Sequence, residues 1–400
     1  MRYTSNKVIF DPCDTDFYKM TMKAAIYHCY PDVEAEFAFT CRTPGIDFSP
    51  IFDDVREQIN LCGSLKYSQE SIDYLSTLKN PRFTPSFLKF LSGQTWDPDM
   101  VRVALNADGS LDIRVKDTWS YATDWEIWIL AIISECWTSY QMSLLNSKEE
   151  REYLEDRVQR MYAITQQLRA YPGLKFVDFG TRRRSSGFWH SRVLNLWKEH
   201  APDHFIGTSN IHFARALNVP VFGTHAHEWD SAHIAFTHPL DAKRMAMETW
   251  LQAFGGDAGI TLTDTFTTAH FLSVFNRHLA NAFSGVRHDS GPWEEWGNKM
   301  IAHYKSLGID PKTKTLLFSD GLSFPMMIEI WKTFSPFVKV GFGIGTKLTN
   351  DTLIDALQIV MKMVSCNGRP VLKISDVAGK TMCEYAWVAD YMLNMFLVDN

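Results

Sequence analysis

The chain has no CxxC pair, and its seven cysteines are scattered. Zinc ribbons and disulfide frameworks need paired, closely spaced cysteines, so the sequence argues against both and for thiols kept reduced in a cytoplasm. It also lacks an apolar run long enough to span a bilayer. The most apolar stretch, WEIWILAIISECW, carries Glu126 and Glu135 and fits a buried core helix. The N-terminal MRYTSNKVIFDPCDTDFY has no apolar core and no cleavage signature, so no leader is expected. An excess of positive charge is missing as well. Forty Lys and Arg against forty-six Asp and Glu leave a net charge of −6, so neither nucleic acid nor a membrane is an expected partner. No Pro/Gly/Ser linker and no low-complexity tract divides the 400 residues.

What remains is an ordinary globular composition, 46% hydrophobic and 22% charged. Residues 34–42 alternate as a half-buried strand should. VRVALNADGSLDIRV (101–115) reads as a hairpin with Asp108-Gly109 at its turn, and a long helical region follows. From Leu174 the texture changes to short apolar runs, each followed by a helical pattern: 175–180, 204–209, 219–224, 259–264, 284–289, 315–320 and 338–346. Seven such units predict a parallel α/β sheet closed, or nearly closed, into a barrel. A last hairpin turns at Asn367-Gly368 and matches the texture of the N-terminal region. The expected division is therefore an α/β domain of residues 1–145 completed by 350–400, with the barrel at 146–349.

In a parallel barrel the catalytic groups stand at the C-terminal strand ends. The polar signatures here collect there: FGTRRRSS, GTSN, GTHAHE, RHDSG, SDG and GFGIGT. Arg182, Arg183 and Arg184 suit a carboxylate or phosphate. Successive side chains diverge, so one or two can face a site, and Arg182 is the expected one. In GFGIGT, glycines at 341, 343 and 345 followed by Thr346 would let backbone N–H groups approach a phosphate. Arg287 and Asp289 put a cation beside a carboxylate, while His288 between them should point away. His225 and His227, two apart, would face the same way in a strand and could bind zinc or iron; alternatively one of them acts alone. The residues themselves leave both open.

Taken together, DTDFYKMTM, DFGTRRR, FIGTSN, GTHAHEW, RHDSG, FGIGT and CNGRPVLKISDVAGK resemble the nicotinate phosphoribosyltransferases, bacterial type, in that family's order from Asp14 to Lys380. The resemblance implies an irregular α/β barrel of the type II phosphoribosyltransferase kind, with an α/β domain built from both chain ends. It implies a cytoplasmic enzyme of NAD salvage, usually a homodimer with the site at the interface. Nicotinate and phosphoribosyl pyrophosphate would give nicotinate mononucleotide and pyrophosphate. ATP and Mg2+ would take part, with ATP hydrolysis coupled through a phosphorylated histidine. The matching positions are His227 as phosphohistidine and Thr224 and Arg287 at the nicotinate pocket. Phe179 and Tyr18 would sandwich the pyridine ring, Tyr18 coming from the partner subunit, with Arg182 near the ring carboxylate. Asp289 would meet the ribose, and Gly343, Gly345 and Thr346 the 5-phosphate. Glu228 or a nearby acid would orient the histidine. Amide-using relatives carry an aspartate where this chain has Ser209; a serine tolerates the acid's negative charge, so nicotinate is expected.

The chain departs from the family at Pro292-Trp293, where RHDSG usually continues with Asp-Pro; Asp320, Glu294 or Glu295 would have to take over any task of that aspartate, and the metal ligands stay open. No family role reaches His225. Two readings compete: a metal-dependent hydrolase using the H-x-H pair with His288, Asp264 or Asp289, and a catalytically dead paralogue serving as a binding protein.

Overall fold

The computed structural model describes every residue except 1–6, 80–82, 224, 256–257, 352–353, 375–382, 384 and 398–400. Thr224 and the end of the CNGRPVLKISDVAGK motif therefore lie outside the described residues. The described strands are β1 (Glu34–Cys41), β2 (Val101–Leu105), β3 (Leu111–Thr118), β4 (Phe176–Asp178), β5 (Phe205–Thr208), β6 (Ile260–Leu262), β7 (Gly285–His288), β8 (Thr315–Phe318), β9 (Lys339–Ile344), β10 (Ile359–Cys366) and β11 (Arg369–Pro370).

One antiparallel sheet has the order β11-β10-β1-β3-β2, so strands from both ends of the chain pair directly. Its register follows the alternation in EAEFAFTC: Ala35, Phe37 and Phe39 turn inward, and Phe39 lies opposite Met361 of β10. The β10–β11 hairpin turns at Asn367 (φ 50°) and Gly368 (φ 70°). Both central residues are left-handed, which is what a two-residue hairpin turn demands and why Asn-Gly occupies it.

The second sheet is parallel, in the order β5-β4-β9-β8-β7-β6. Six of the seven expected strands form. VPVFGT does not: only a single bridge joins Val221 to Thr208 of β5. The chain leaves the sheet because it must pass the start of the helix Phe17–Cys29. A side chain at Gly223 would come within 2.5 Å of the Tyr18 backbone nitrogen. Among the described residues the barrel wall is thus open between Val221 and β6, an irregular α/β barrel.

WEIWILAIISECW does form a core helix, within Trp119–Ser143, with Trp119, Trp125 and Trp128 fully buried. Its three buried carboxylates each meet a cation. Glu126 pairs with Lys19 at 2.6 Å, Asp124 with Lys23, and Glu135 with Arg184 at 2.6 Å. Buried charges persist only when paired, and the Lys19 and Lys23 pairs fix the helix that carries Tyr18. Among the described residues no helix is long and apolar enough to cross a membrane.

Candidate active site

The C-terminal strand ends open on a cleft of about 730 Å³. Tyr18, Phe179, Arg182, Ser209, Arg287, Asp289, Gly345 and Thr346, all expected from the sequence, line it. It continues inward to a pocket of about 60 Å³, where Tyr18, Arg182, Arg287 and Asp289 meet His227 and Lys362. The apolar strands thus carry their polar exits to one place.

The three arginines diverge as expected. Arg182 faces the cleft, with Glu126 3.5 Å from its Nη1. Arg183 donates to the Ile359 carbonyl. Arg184 is fully buried, forked onto Asp14 at 2.6 and 2.8 Å and bonded to Glu135. Arg287 donates to Ser319 Oγ at 2.7 Å and to Asp289 Oδ1 at 2.9 Å, and lies over the Phe179 ring, 5.8 Å from its centroid. His288 points away, Nε2 toward the Gly291 carbonyl.

His227 begins the short helix His227–Ala232. Its Nδ1 is 2.9 Å from Thr265 Oγ1. Its Nε2 faces the pocket, with Asp289 Oδ2 and Lys373 Nζ each 2.9 Å away. Burial, then the Lys373 charge, lowers the histidine's pKa, so the ring is neutral near pH 7. Burial works against Asp289's charge, but Arg287 and His227 outweigh it and hold its carboxyl well below the usual range.

Several expectations need correction. Gly343 does not line the cleft; a side chain there would come within 2.2 Å of the Phe179 ring, so this glycine makes room for that ring. Tyr18 lines this pocket, its helix held there by the buried Lys19–Glu126 pair. Glu228 does not orient His227: it accepts from Lys19 and from Trp119 Nε1 (2.7 Å). The two histidines do not converge on a metal. His225 is 1% exposed, its Nε2 3.3 Å from Thr261 Oγ1, and burial pushes its pKa down to about 3. Ser209 donates to Asp16 Oδ1 at 2.6 Å. Burial raises the Asp16 carboxyl, against the opposing charge of Arg182.

Lys362, Lys373 and Glu126 also line the pocket, and no sequence motif pointed to them as pocket residues. The signal was present: Lys362 stands between buried Met361 and Met363, and Lys373 between buried Leu372 and Ile374. A lysine set inside an apolar run requires a polar destination. Burial pushes Lys362 down to about 8. Ile374 pairs with Phe266, just past β6, which sets Lys373 2.8 Å from Asp264 Oδ2.

His227, Asp264 and Asp289 offer ligand atoms within 4.8 Å of one another. The Lys373 ammonium already bonds two of the three, and a magnesium ion prefers oxygen throughout. That trio does not fit magnesium. Asp289 and Asp320, both on the open cleft, do supply hard oxygen donors; Glu294 and Glu295 do not line it.

Comparison with known proteins agrees with this geometry. The profile of the nicotinate phosphoribosyltransferase (NAPRTase) family matches residues 174–400, and that of its N-terminal domain matches 13–134. The chain is similar to the nicotinate phosphoribosyltransferase of Psychromonas ingrahamii, 40% identical over 96% of this chain and 94% of the relative. Similarity to that of Ectopseudomonas mendocina is 37% over 98% of both. Among solved structures, the Vibrio cholerae nicotinate phosphoribosyltransferase superposes with a TM-score of 0.91 at 37% identity, covering 98% of this chain and 94% of that one. The Porphyromonas gingivalis structure of the same name gives 0.91 at 33%, covering 97% and 100%. The chain belongs to the nicotinate phosphoribosyltransferase family.

Proposed function

We propose that the protein joins nicotinate to phosphoribosyl pyrophosphate, giving nicotinate mononucleotide and pyrophosphate, with ATP hydrolysis coupled through phosphorylation of His227. The observation that carries this is His227 Nε2, turned into a pocket flanked by Arg182, Arg287, Lys362 and Lys373. A neutral imidazole nitrogen is a competent phosphoryl acceptor, and four cations suit a phosphate-rich pair of substrates.

In this reading the pyridine ring lies between Tyr18 and Phe179, its carboxylate toward Arg182 and Arg287, with Thr224 as a further wall. Ser209 and Asp16 form the polar floor. Asp289 meets the ribose; Gly345 and Thr346 meet the 5-phosphate. Displacement of pyrophosphate passes through a cationic ribosyl centre. The chain positions the ring nitrogen, opposes that charge with Asp289 and takes up the leaving charge on its lysines and arginines. Asp289 and Asp320 would hold magnesium, which supplies charge neutralisation on the pyrophosphate oxygens. The domain of residues 1–145 and 350–400 brings Tyr18 and Lys362 to the barrel of 146–349. We take the enzyme as a cytoplasmic homodimer.

The test is a coupled assay. Purified protein with nicotinate, phosphoribosyl pyrophosphate, ATP and Mg2+ should release nicotinate mononucleotide. No product, or equal use of nicotinamide, sinks the proposal. His227→Ala should abolish the ATP dependence and leave slow ATP-independent transfer.

A further inference from the structure

Beneath the cleft wall lies a carboxylate that takes no part in lining it. Asp178 closes β4 and is fully buried, as are His190 of the helix Gly187–His200 and Thr208 at the end of β5. Asp178 Oδ1 accepts from the Gly180 N–H at 2.8 Å. Its Oδ2 accepts from Thr208 Oγ1 at 2.6 Å and stands 2.7 Å from His190 Nε2. His190 Nδ1 meets no partner among the described residues, so the ring's one hydrogen bond is the one to this carboxylate. A carboxylate and an imidazole withdrawn from water are costly to keep unless hydrogen bonds hold them, and apolar packing alone would not call for them.

The bonds lead to two residues of the cleft. Phe179 is held from both sides: its own N–H donates to the Ile344 carbonyl at 2.8 Å, and the next N–H, of Gly180, goes to Asp178 Oδ1. Ser209 is held in the same way. Its N–H donates to the Asp178 carbonyl at 2.8 Å, and the next N–H, of Asn210, goes to Thr208 Oγ1 at 3.0 Å. Thr208 can take that N–H because its own proton points the other way, to Asp178. One carboxylate thus sets the backbone under an aromatic wall and under the polar floor. Among the described residues, none of Lys362, Lys373 and Asp289 bonds to Asp178, His190 or Thr208.

We propose that Asp178, with His190 and Thr208, is a positioning residue for the pyridine half of the reaction: it fixes the distance between Phe179 and Ser209, and thereby governs capture of nicotinate but not of phosphoribosyl pyrophosphate. This rests on the placement of the nicotinate ring against Phe179 and Ser209. A planar ring gains from a wall only at van der Waals contact, and a shift of about 1 Å loses that contact and misdirects the ring nitrogen. The phosphates meet their cations through side chains on other segments, Lys362 on β10 and Lys373 after β11, which the network does not reach. A change among the partners of this buried carboxylate therefore separates the binding of the two substrates.

Steady-state kinetics on the full-length enzyme, with crystal structures of the variants, test this. Thr208→Val keeps the volume and removes both the proton given to Asp178 and the oxygen that takes the Asn210 N–H. It should raise KM for nicotinate about 10- to 100-fold and leave KM for phosphoribosyl pyrophosphate within about twofold. Thr208→Ser should restore the wild-type value. Asp178→Asn is the second variant: whichever way its amide turns, one former donor is left facing an NH2 group, so the same split should appear. Equal rises in both KM values would mean a merely structural role and overturn the inference, as would a Phe179 ring and Ser209 backbone unmoved in both variants. Walls displaced with KM for nicotinate unchanged would sink the placement of the ring and leave the support of Phe179 and Ser209 by Asp178 standing.

Discussion

Arg182 and Arg184 are two residues apart and chemically identical, yet they belong to different regions. Arg184 is 0% exposed, and two carboxylates, Asp14 and Glu135, accept three hydrogen bonds from its guanidinium. Arg182 keeps 37% of its side chain exposed, with one carboxylate 3.5 Å away and the cleft before it. The first region is a closed set of paired charges between the helix Phe17–Cys29, the core helix and the barrel. The second is a cleft lined by Arg182, Arg287, Lys362 and Lys373. A satisfied charge holds the fold, and a partly satisfied one at a cavity is poised for an anion. The same contrast separates His225, closed into packing, from His227, open to the pocket.

The largest effect should come from breaking the closed set. Arg184→Met leaves Asp14 and Glu135 buried without their cation and should cost about 3–5 kcal/mol of stability, read from denaturant midpoints. If activity fell with stability unchanged, the division between the two regions would be wrong. Arg182→Ala should do the reverse. Loss of a charged hydrogen-bonding partner of about 1.5–3 kcal/mol should raise KM for nicotinate roughly 10- to 100-fold with the unfolding midpoint nearly unmoved.

Lys362 sharpens the comparison through pH. Its pKa sits near 8, lowered by burial, so the folded enzyme loses this charge as pH rises through about 8. KM for phosphoribosyl pyrophosphate should therefore rise above that pH, and Lys362→Arg should flatten the profile. The stability sign is opposite to that of a paired group. Between about 8 and the ordinary lysine value of 10.5 the unfolded chain binds the proton and the fold does not, so this residue makes stability rise with pH across that window. A KM that stays level to pH 10 would remove Lys362 from the phosphate-binding cations. The smallest effect is expected at His225. It is neutral at working pH, so His225→Asn should change kcat by no more than about threefold, the coupling remaining with His227. Loss of ATP dependence in this variant would exchange the two histidines' roles.

Much of the site was legible because apolar strands end abruptly in polar residues, and a parallel sheet gathers its strand ends on one side. That placed Arg182, Ser209, Arg287, Asp289, Gly345 and Thr346 on one cleft. The misread features share a cause. Gly343 looked like a phosphate contact, but the glycine makes room for the Phe179 ring, which lies far away in sequence. VPVFGT has a strand's composition, but the passing Phe17–Cys29 helix turns it away. Lys362, in β10, and Lys373, in the apolar run after β11, stood in plain view without an address.

The sequence by itself determined the alternation of strand and helix, the Asn-Gly hairpin, the core helix and the polar strand exits, since each depends on neighbours a few residues away. Only the tertiary structure decided which arginine is locked into ion pairs and which faces the cleft, that Tyr18 lines the pocket beside His227, and that Asp230 reaches His227 through Thr265. Those outcomes depend on which side chains meet across strands far apart in sequence. Burial and pairing, set by that meeting, give identical residue types opposite roles.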